Sequence, residues 1–479
     1  MTLRAEVKLS PREFHAFEAD GRKFLYMVPS AAVFGLDEPA AAVLERLGER
    51  KMSAAEMVAD LDGRFSPDDV LRSVNELMQV RAIGEAGILQ EPAPKQMPPT
   101  PFPLTTMVLN VTNQCNLSCG YCYEYGEDKI VDTENGRQPK FMNEETARQS
   151  VEFMLAESGE IETVHLTFFG GETLMNFPVL QKTVEYARRR AGELGKGVEF
   201  SLTTNATLLR PDIIEWLADN EIGVTVSIDG PKEMQDQFRV FKGGRGSYDI
   251  VAPKVRELLR RHRSRPIGAR VTLTRNVLDV QRIYRHLHDE IGFWEVGFAP
   301  VTTAWGRDWA IDDAGFHAML AQFNALAEDF LEAALENRHH GFSNVKDTIE
   351  EIHKGVSKAY PCGAGLGLMG VATDGDVSLC HRFAGSPEHK LGTVAEGVDH
   401  QRQQEFLEQH HLAEKTDCHS CWARPLCSGG CYHEAYTRYG TTTGPNLHYC
   451  EWIRSWTDTC LRVYGELASR NPGYLAVFN

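Results

Sequence analysis

Between Asn113 and Gly126 the chain reads NQCNLSCGYCYEYG, a CxxxCxxC spacing that gathers Cys115, Cys119 and Cys122, with Tyr121, Tyr123 and Tyr125 woven through it. A cubane [4Fe-4S] cluster has four irons, and thiolates usually hold all of them. Three protein thiolates leave one iron open, which suits a small molecule that must be bound and reduced by direct contact. The tyrosine rings could stack on a planar part of that molecule. Zinc with a fourth ligand from elsewhere, or three packed thiols, compete on spacing alone, although structural zinc sites more often show two separated cysteine pairs.

The remaining eight cysteines crowd the last quarter. Cys362, Gly375, Cys380, the run CHSCWARPLCSGGC and Cys450 follow the pattern Cx12Gx4C, CxxCx5CxxxC and a final cysteine. Zinc would use the CxxC pairs equally well. Cys460, in EWIRSWTDTCLRVYGEL, shares a helical face with Trp452 and Trp456 and reads as a packed thiol. His381, His419 and His433 lie close to candidate ligands and could orient them by hydrogen bonding, or merely pack.

Stepping outward, the elements that must hold these residues alternate. TTMVLNVT, VHLTFFGG, EFSLTTNAT, GVTVSIDG, ARVTLTR and EVGFAPV read as strands, separated by helical runs such as ETARQSVEFMLAES, VLQKTVEYARRRAGEL and RPDIIEWLADN. Repeated βα units predict a parallel sheet with its site at the carboxyl ends of the strands, where the first cysteine loop falls. The proline-rich EPAPKQMPPTPFP, Glu91 to Pro103, reads as a linker. Before it, FLYMVPSAAVF is strand material, and PAAAVLERLGE and SPDDVLRSVNELMQV are helical, the second capped by Ser66. Expected units are therefore 1–90, the linker 91–103, an α/β unit 104–310, a helical connection 311–361 and a cysteine-rich unit 362–479. The polar stretch Gly126 to Lys140 reads as a loop.

Composition narrows the function classes. With 479 residues, 42% hydrophobic and 24% charged, the chain reads as a soluble protein of two or three domains. A formal charge of −17 argues against nonspecific nucleic-acid binding. No signal-like or membrane-spanning apolar run is present, so a cytoplasmic protein without a membrane partner is expected. Eleven cysteines in a reducing compartment point to metal ligation rather than disulfides.

The cysteine loop, followed in order by FFGGETLMN, TTNAT, SIDGPKEMQDQFR and VGFAPV, resembles the radical S-adenosylmethionine (SAM) superfamily from about Thr105 to Val301. The resemblance implies a partial (β/α)6 barrel, a [4Fe-4S] cluster chelated by the methionine end of SAM, and cleavage of SAM to a 5′-deoxyadenosyl radical. By position it implies Tyr121 and Phe298 at the adenine, and Gly170 and Gly171 where backbone approaches the ligand. It also implies Glu172 at the SAM amino group, Thr203 and Asn205 at the ribose, and Ser227 and Arg239 at the carboxylate.

The tail resembles the SPASM extension. That implies two further [4Fe-4S] clusters, one on Cys418, Cys421, Cys427 and Cys450, the other on Cys362, Cys380 and Cys431. Many relatives have another cysteine just before the first of these; KGVSKAYP has none, which leaves the second set's fourth ligand open. The first 90 or so residues resemble the winged-helix-like peptide-binding module of ribosomal peptide maturases, which adds a leader segment to a sheet edge.

In this order the parts resemble the maturation proteins of quinohemoprotein amine dehydrogenase, which form Cys-to-Asp/Glu methylene thioethers in that enzyme's small subunit. The partners implied are that peptide and an electron donor. An anaerobic sulfatase maturase or another radical SAM peptide maturase, an iron-sulfur electron carrier and a zinc-dependent interaction protein are the alternatives. No residue is singled out as the catalytic acid or base.

Overall fold

The computed structural model describes residues 6–88, 95–124, 126–131 and 138–478. Tyr125 and the start of the proline-rich stretch lie outside the described residues. At the N-terminus β1 (Leu9–Pro11) leads into an antiparallel sheet of β2 (Phe14–Ala19), β3 (Arg22–Met27) and β4 (Val33–Leu36), in the order β2-β3-β4. FLYMVPSAAVF is thus a hairpin rather than one strand. Helices Glu38–Glu49, Ala54–Asp60 and Pro67–Gln79 follow, the last with Ser66 accepting from Asp69 N, before β5 (Ile83–Glu85) returns to pair with β1. Leu25, Val43, Met57, Val70 and Val74 form a core of their own here.

The central chain builds six parallel strands: β6 (Thr106–Asn110), β7 (Thr163–Phe169), β8 (Gly197–Thr204), β9 (Gly223–Ser227), β10 (Ile267–Leu273) and β11 (Glu295–Pro300), side by side in chain order. Most connections run through helices, among them Glu144–Glu157, Phe177–Glu193 and Pro211–Asp219, as the βα alternation predicts. Each strand has two unlike faces because side chains alternate. Leu166, Phe168, Leu202, Val224, Val226, Val271 and Phe298 are buried against the helices. The opposite face carries Thr167, Ser201, Thr203, Ser227, Arg270 and Gly297 and lines the barrel.

The same sheet continues past β6. β12 (Leu368–Val371) lies parallel to β6, and β13 (Asp376–Ser378), β14 (Lys390–Thr393) and β15 (Gly397–Val398) extend it antiparallel, making ten strands. The cysteine-rich tail is therefore bound to the barrel by a backbone ladder as well as by side chains. It also holds a long helix, Cys450–Arg470, which packs on β2 and on helices Asp313–Leu335 and Ser343–His353. Among the described residues no helix is long and apolar enough to cross a membrane.

Candidate functional site

At the end of β6 the chain turns into the Cys115–Cys122 loop, which is pinned before it begins. Thr112 Oγ1 accepts from Gln114 N at 3.0 Å and donates to Lys140 O at 2.9 Å. From the end of β7, Gly171 N donates to Thr112 O at 3.0 Å and Glu172 N to Gln114 O at 2.9 Å. A Cβ on Gly170 would stand 2.4 Å from Thr112 O, and one on Gly171 2.2 Å from Gln114 O. Glycine is required at both because the chain entering Cys115 occupies that space.

Glu172 is fully buried. Its carboxylate accepts from Thr204 Oγ1 at 2.6 Å, Leu174 N at 3.1 Å and Asn205 N at 2.8 Å, so it ties the ends of β7 and β8 together. Burial pushes its pKa up although all three hydrogen bonds pull it down. Asn205 reaches the cysteine loop directly: Nδ2 donates to Asn116 Oδ1 at 3.0 Å and lies 3.8 Å from Cys115 Sγ. Thr203 and Ser227 face the barrel interior, one near the end of β8 and one at the end of β9.

Arg239 is already engaged. Its Nε donates to Asp229 at 2.8 Å and its guanidinium lies over the Tyr121 ring, 5.6 Å from the centroid. The Tyr121 hydroxyl donates to the same carboxylate, whose other oxygen accepts from Thr272 N at 3.0 Å. Burial opposes the Arg239 charge, yet Asp229, Tyr121 and Cys119 outweigh it and raise the pKa. Asp229 thus positions both Tyr121 and Arg239, a role sequence reasoning missed; the Asp-Gly after β9 was the available signal.

Phe298 stands apart from the expected set. It is 2% exposed and packs edge-on against Phe323 and Phe342 on the helix side of the sheet, so its ring does not line the barrel interior. Gly297 and Ala299 hold the lining positions of β11 instead.

None of the eleven cysteines is disulfide-bonded. Burial drives the Cys115 thiol up to about 12 and raises Cys119, an effect that Arg239 moderates. Cys418, Cys421, Cys427 and Cys450 line one cavity together with Arg424, Asn446 and Tyr449. Cys362, Cys380 and Cys431 form a second group whose thiols feel one another electrostatically, with Lys415 and Arg382 beside them. Cys460 is fully buried, as its helical face predicts.

The three histidines divide. Among the described residues, His433 is buried with neither ring nitrogen hydrogen-bonded, and the half-buried His381 leaves Nδ1 unpartnered and is pushed down to about 3 by desolvation. Both flank Tyr123 edge-on. His419 is exposed and bonds to Ala413 O at 2.9 Å.

Comparison with known proteins places the chain among radical SAM relatives. The model of the radical SAM superfamily matches residues 109–282. The serine-type anaerobic sulfatase-maturating enzyme of Bacteroides thetaiotaomicron is 30% identical over 375 residues, covering 72% of this chain and 86% of that protein. The cysteine-type enzyme of Clostridium novyi is 22% identical over 370 residues, covering 74% of this chain and 94% of its own. Among solved structures, native anSMEcpe with bound AdoMet superposes with a TM-score of 0.64 at 22% identity, covering 77% of this chain and all of that one, a likeness of fold.

Proposed function

Since the chain belongs to the radical SAM superfamily of enzymes, we propose that it is a cytoplasmic maturase that joins a cysteine sulfur to a side-chain methylene of Asp or Glu within a protein substrate, the small subunit of quinohemoprotein amine dehydrogenase. The observation that carries the reading is the cysteine loop at the carboxyl end of β6, pinned by the Gly170–Glu172 turn and touched by Asn205. Thiol-only donor sets fit iron-sulfur clusters. Structural zinc sites more often show two separated cysteine pairs, a poorer match to the CxxxCxxC triplet.

Cys115, Cys119 and Cys122 would hold the SAM-binding cluster. The four-cysteine cavity would hold a second cluster, and Cys362, Cys380 and Cys431 a third. Bound there, SAM and the clusters supply a deoxyadenosyl radical that takes one hydrogen and an acceptor for the remaining electron. Each thioether then removes two hydrogens in total, one from carbon and one from sulfur.

The chain's own residues orient the cofactor. Tyr121, held by Asp229, offers a ring face. Asn205, Thr203 and Ser227 offer polar groups from the strand ends, and the remaining donors of Arg239 suit a carboxylate. The N-terminal segment would receive the peptide as an added strand at β4, which lies at the sheet edge. An electron donor is needed to start each turnover.

The 30% identity to a serine-type sulfatase maturase favours a second reading, oxidation of a serine or cysteine to an aldehyde. Anaerobic incubation with SAM, a reductant and the small subunit separates the two. The thioether reading expects loss of two hydrogens and of one titratable thiol per bond, with no hydrazide-reactive aldehyde. A hydrazide-reactive aldehyde would establish the rival, with every thiol retained where a serine is oxidised and one thiol lost as sulfide where a cysteine is. Replacing Cys115, Cys119 and Cys122 by Ala should abolish deoxyadenosine release while removing only about a third of the iron, since the other cysteine sets remain. Undiminished deoxyadenosine release would reject the radical assignment.

A further inference from the structure

One charged side chain inside the barrel has no place in the account above. Arg270 lies on β10, on the lining face, level with Ser227 of β9 and Gly297 of β11. Its guanidinium makes no hydrogen bond or ion pair among the described residues. It is open by area yet enclosed by protein, so it faces the interior space rather than bulk water. Water in that space solvates the charge, and a ligand that displaces this water must give the guanidinium a partner in its place.

Its surroundings do not meet that need. Arg382, a like charge that acts on it, is directed elsewhere: Nη1 donates to Thr302 Oγ1 at 2.9 Å and the guanidinium lies over Tyr123 at 4.5 Å, beside Cys380 and Cys431. Glu434 is held by Arg438 at 2.6 Å and by His448. Asp347 attracts Arg270 without pairing with it. The space beside the guanidinium is kept clear, because a Cβ on Gly297 would stand 3.4 Å from Arg270 Nη1 and 2.8 Å from Ser343 Oγ. Planar, forked donors in such a space match a carboxylate.

We propose that Arg270 is the receptor for the carboxylate of the peptide's acidic side chain, holding the adjacent methylene in the barrel; this rests on the maturase reading above. The methionine carboxylate of SAM is the other source of the same chemistry. The side chain's neighbours decide between them. Ser227, level with it on β9, is shared with the residues offered to SAM, but Arg382, Asp347 and Tyr449 belong to the later part of the chain, and the cysteine loop, Glu172 and Asn205 do not figure among its electrostatic partners.

The test measures anaerobic binding of the labelled small subunit, and of forms in which its Asp and Glu residues are changed singly to Asn or Gln, by fluorescence anisotropy. With the unaltered enzyme, at least one amide form should bind about tenfold more weakly or worse. R270Q should bind the original subunit as weakly and no longer discriminate, R270K should recover part of the difference, and SAM affinity should be unchanged. Uniform binding across the series, discrimination that survives in R270Q, or a fall in SAM affinity instead would overturn the proposal. The amide series on the unaltered enzyme decides the matter even if R270Q fails to fold. Intact mass of the product judges the thioether reading separately, so cross-linking without discrimination sinks only Arg270, and discrimination without cross-linking sinks only the thioether.

Discussion

Phe298 and Arg270 are near neighbours on adjacent parallel strands and face opposite sides of one sheet, a difference of one step in the register. The alternation that parts them was legible in EVGFAPV, where Val296 and Phe298 share a face and Gly297 and Ala299 the other. Matching Phe298 to a family position without counting that alternation put it at the adenine; its burial against Phe323 and Phe342 puts it in the core. Phe298→Ala should therefore cost about 3–5 kcal/mol of stability through the cavity it leaves. Affinity for SAM, measured by equilibrium binding at a temperature where the variant is folded, should change little. A large loss of SAM affinity with unchanged melting would return the ring to the ligand. Asp229 was harder to read, because a lone Asp-Gly is ordinarily a turn and its three partners, Tyr121, Arg239 and Thr272, are scattered along the chain.

Local elements were legible where period and caps agreed, as in the six barrel strands and the Ser66-capped helix. The extension β12 to β15 was not, since short runs such as LMGV reveal their partner strand only in the fold. Another feature hidden from sequence is the packing between the helices beside the barrel. His340 stacks on Tyr284 at 5.0 Å and meets Phe330 edge-on, while Phe342 N donates to its Nδ1 at 3.3 Å. Burial, followed by the nearby His288 and His339 and opposed by Asp289, lowers its pKa to about 4. The unfolded chain then binds more protons than the folded one between the ordinary histidine range and about pH 4, so stability present at neutral pH is lost as pH falls through that window. Partial solvent contact discounts the effect to about 2 kcal/mol. Denaturant melts of the wild type and His340→Phe at pH 7 and pH 4.5 should show a smaller acid loss in the variant; equal losses would assign the acid sensitivity to other groups.

At the scale of the whole molecule, the N-terminal segment is clasped to the walls of the four-cysteine cavity. His15 stacks on Trp422 at 3.6 Å and bonds to Asp458 at 2.7 Å, and Glu13 pairs with Arg424 at 2.5 Å. Trp422 and Arg424 lie between Cys421 and Cys427, and Asp458 lies on the helix that begins at Cys450. On that helix a Cβ at Gly465 would stand 2.7 Å from Ala19 Cβ and 3.1 Å from Phe17, so β2 is seated against its backbone. The linker composition pointed to a boundary between two units, and composition has no means of showing such a clasp. A chain lacking residues 1–90 should therefore expose the apolar face that Phe17 and Phe24 cover, and should lose order around Trp422 and Arg424. The expected result is a self-associating protein with about a third of its iron missing, since one of three cysteine sets loses its wall. Deoxyadenosine release per remaining SAM-site cluster should be retained, because the Cys115–Cys122 loop takes its support from Thr112, Gly171 and Asn205 instead. Iron analysis, light scattering and deoxyadenosine assay of the truncated chain give the three readings. A monomeric product with its full iron content would show that the clasp serves peptide capture alone.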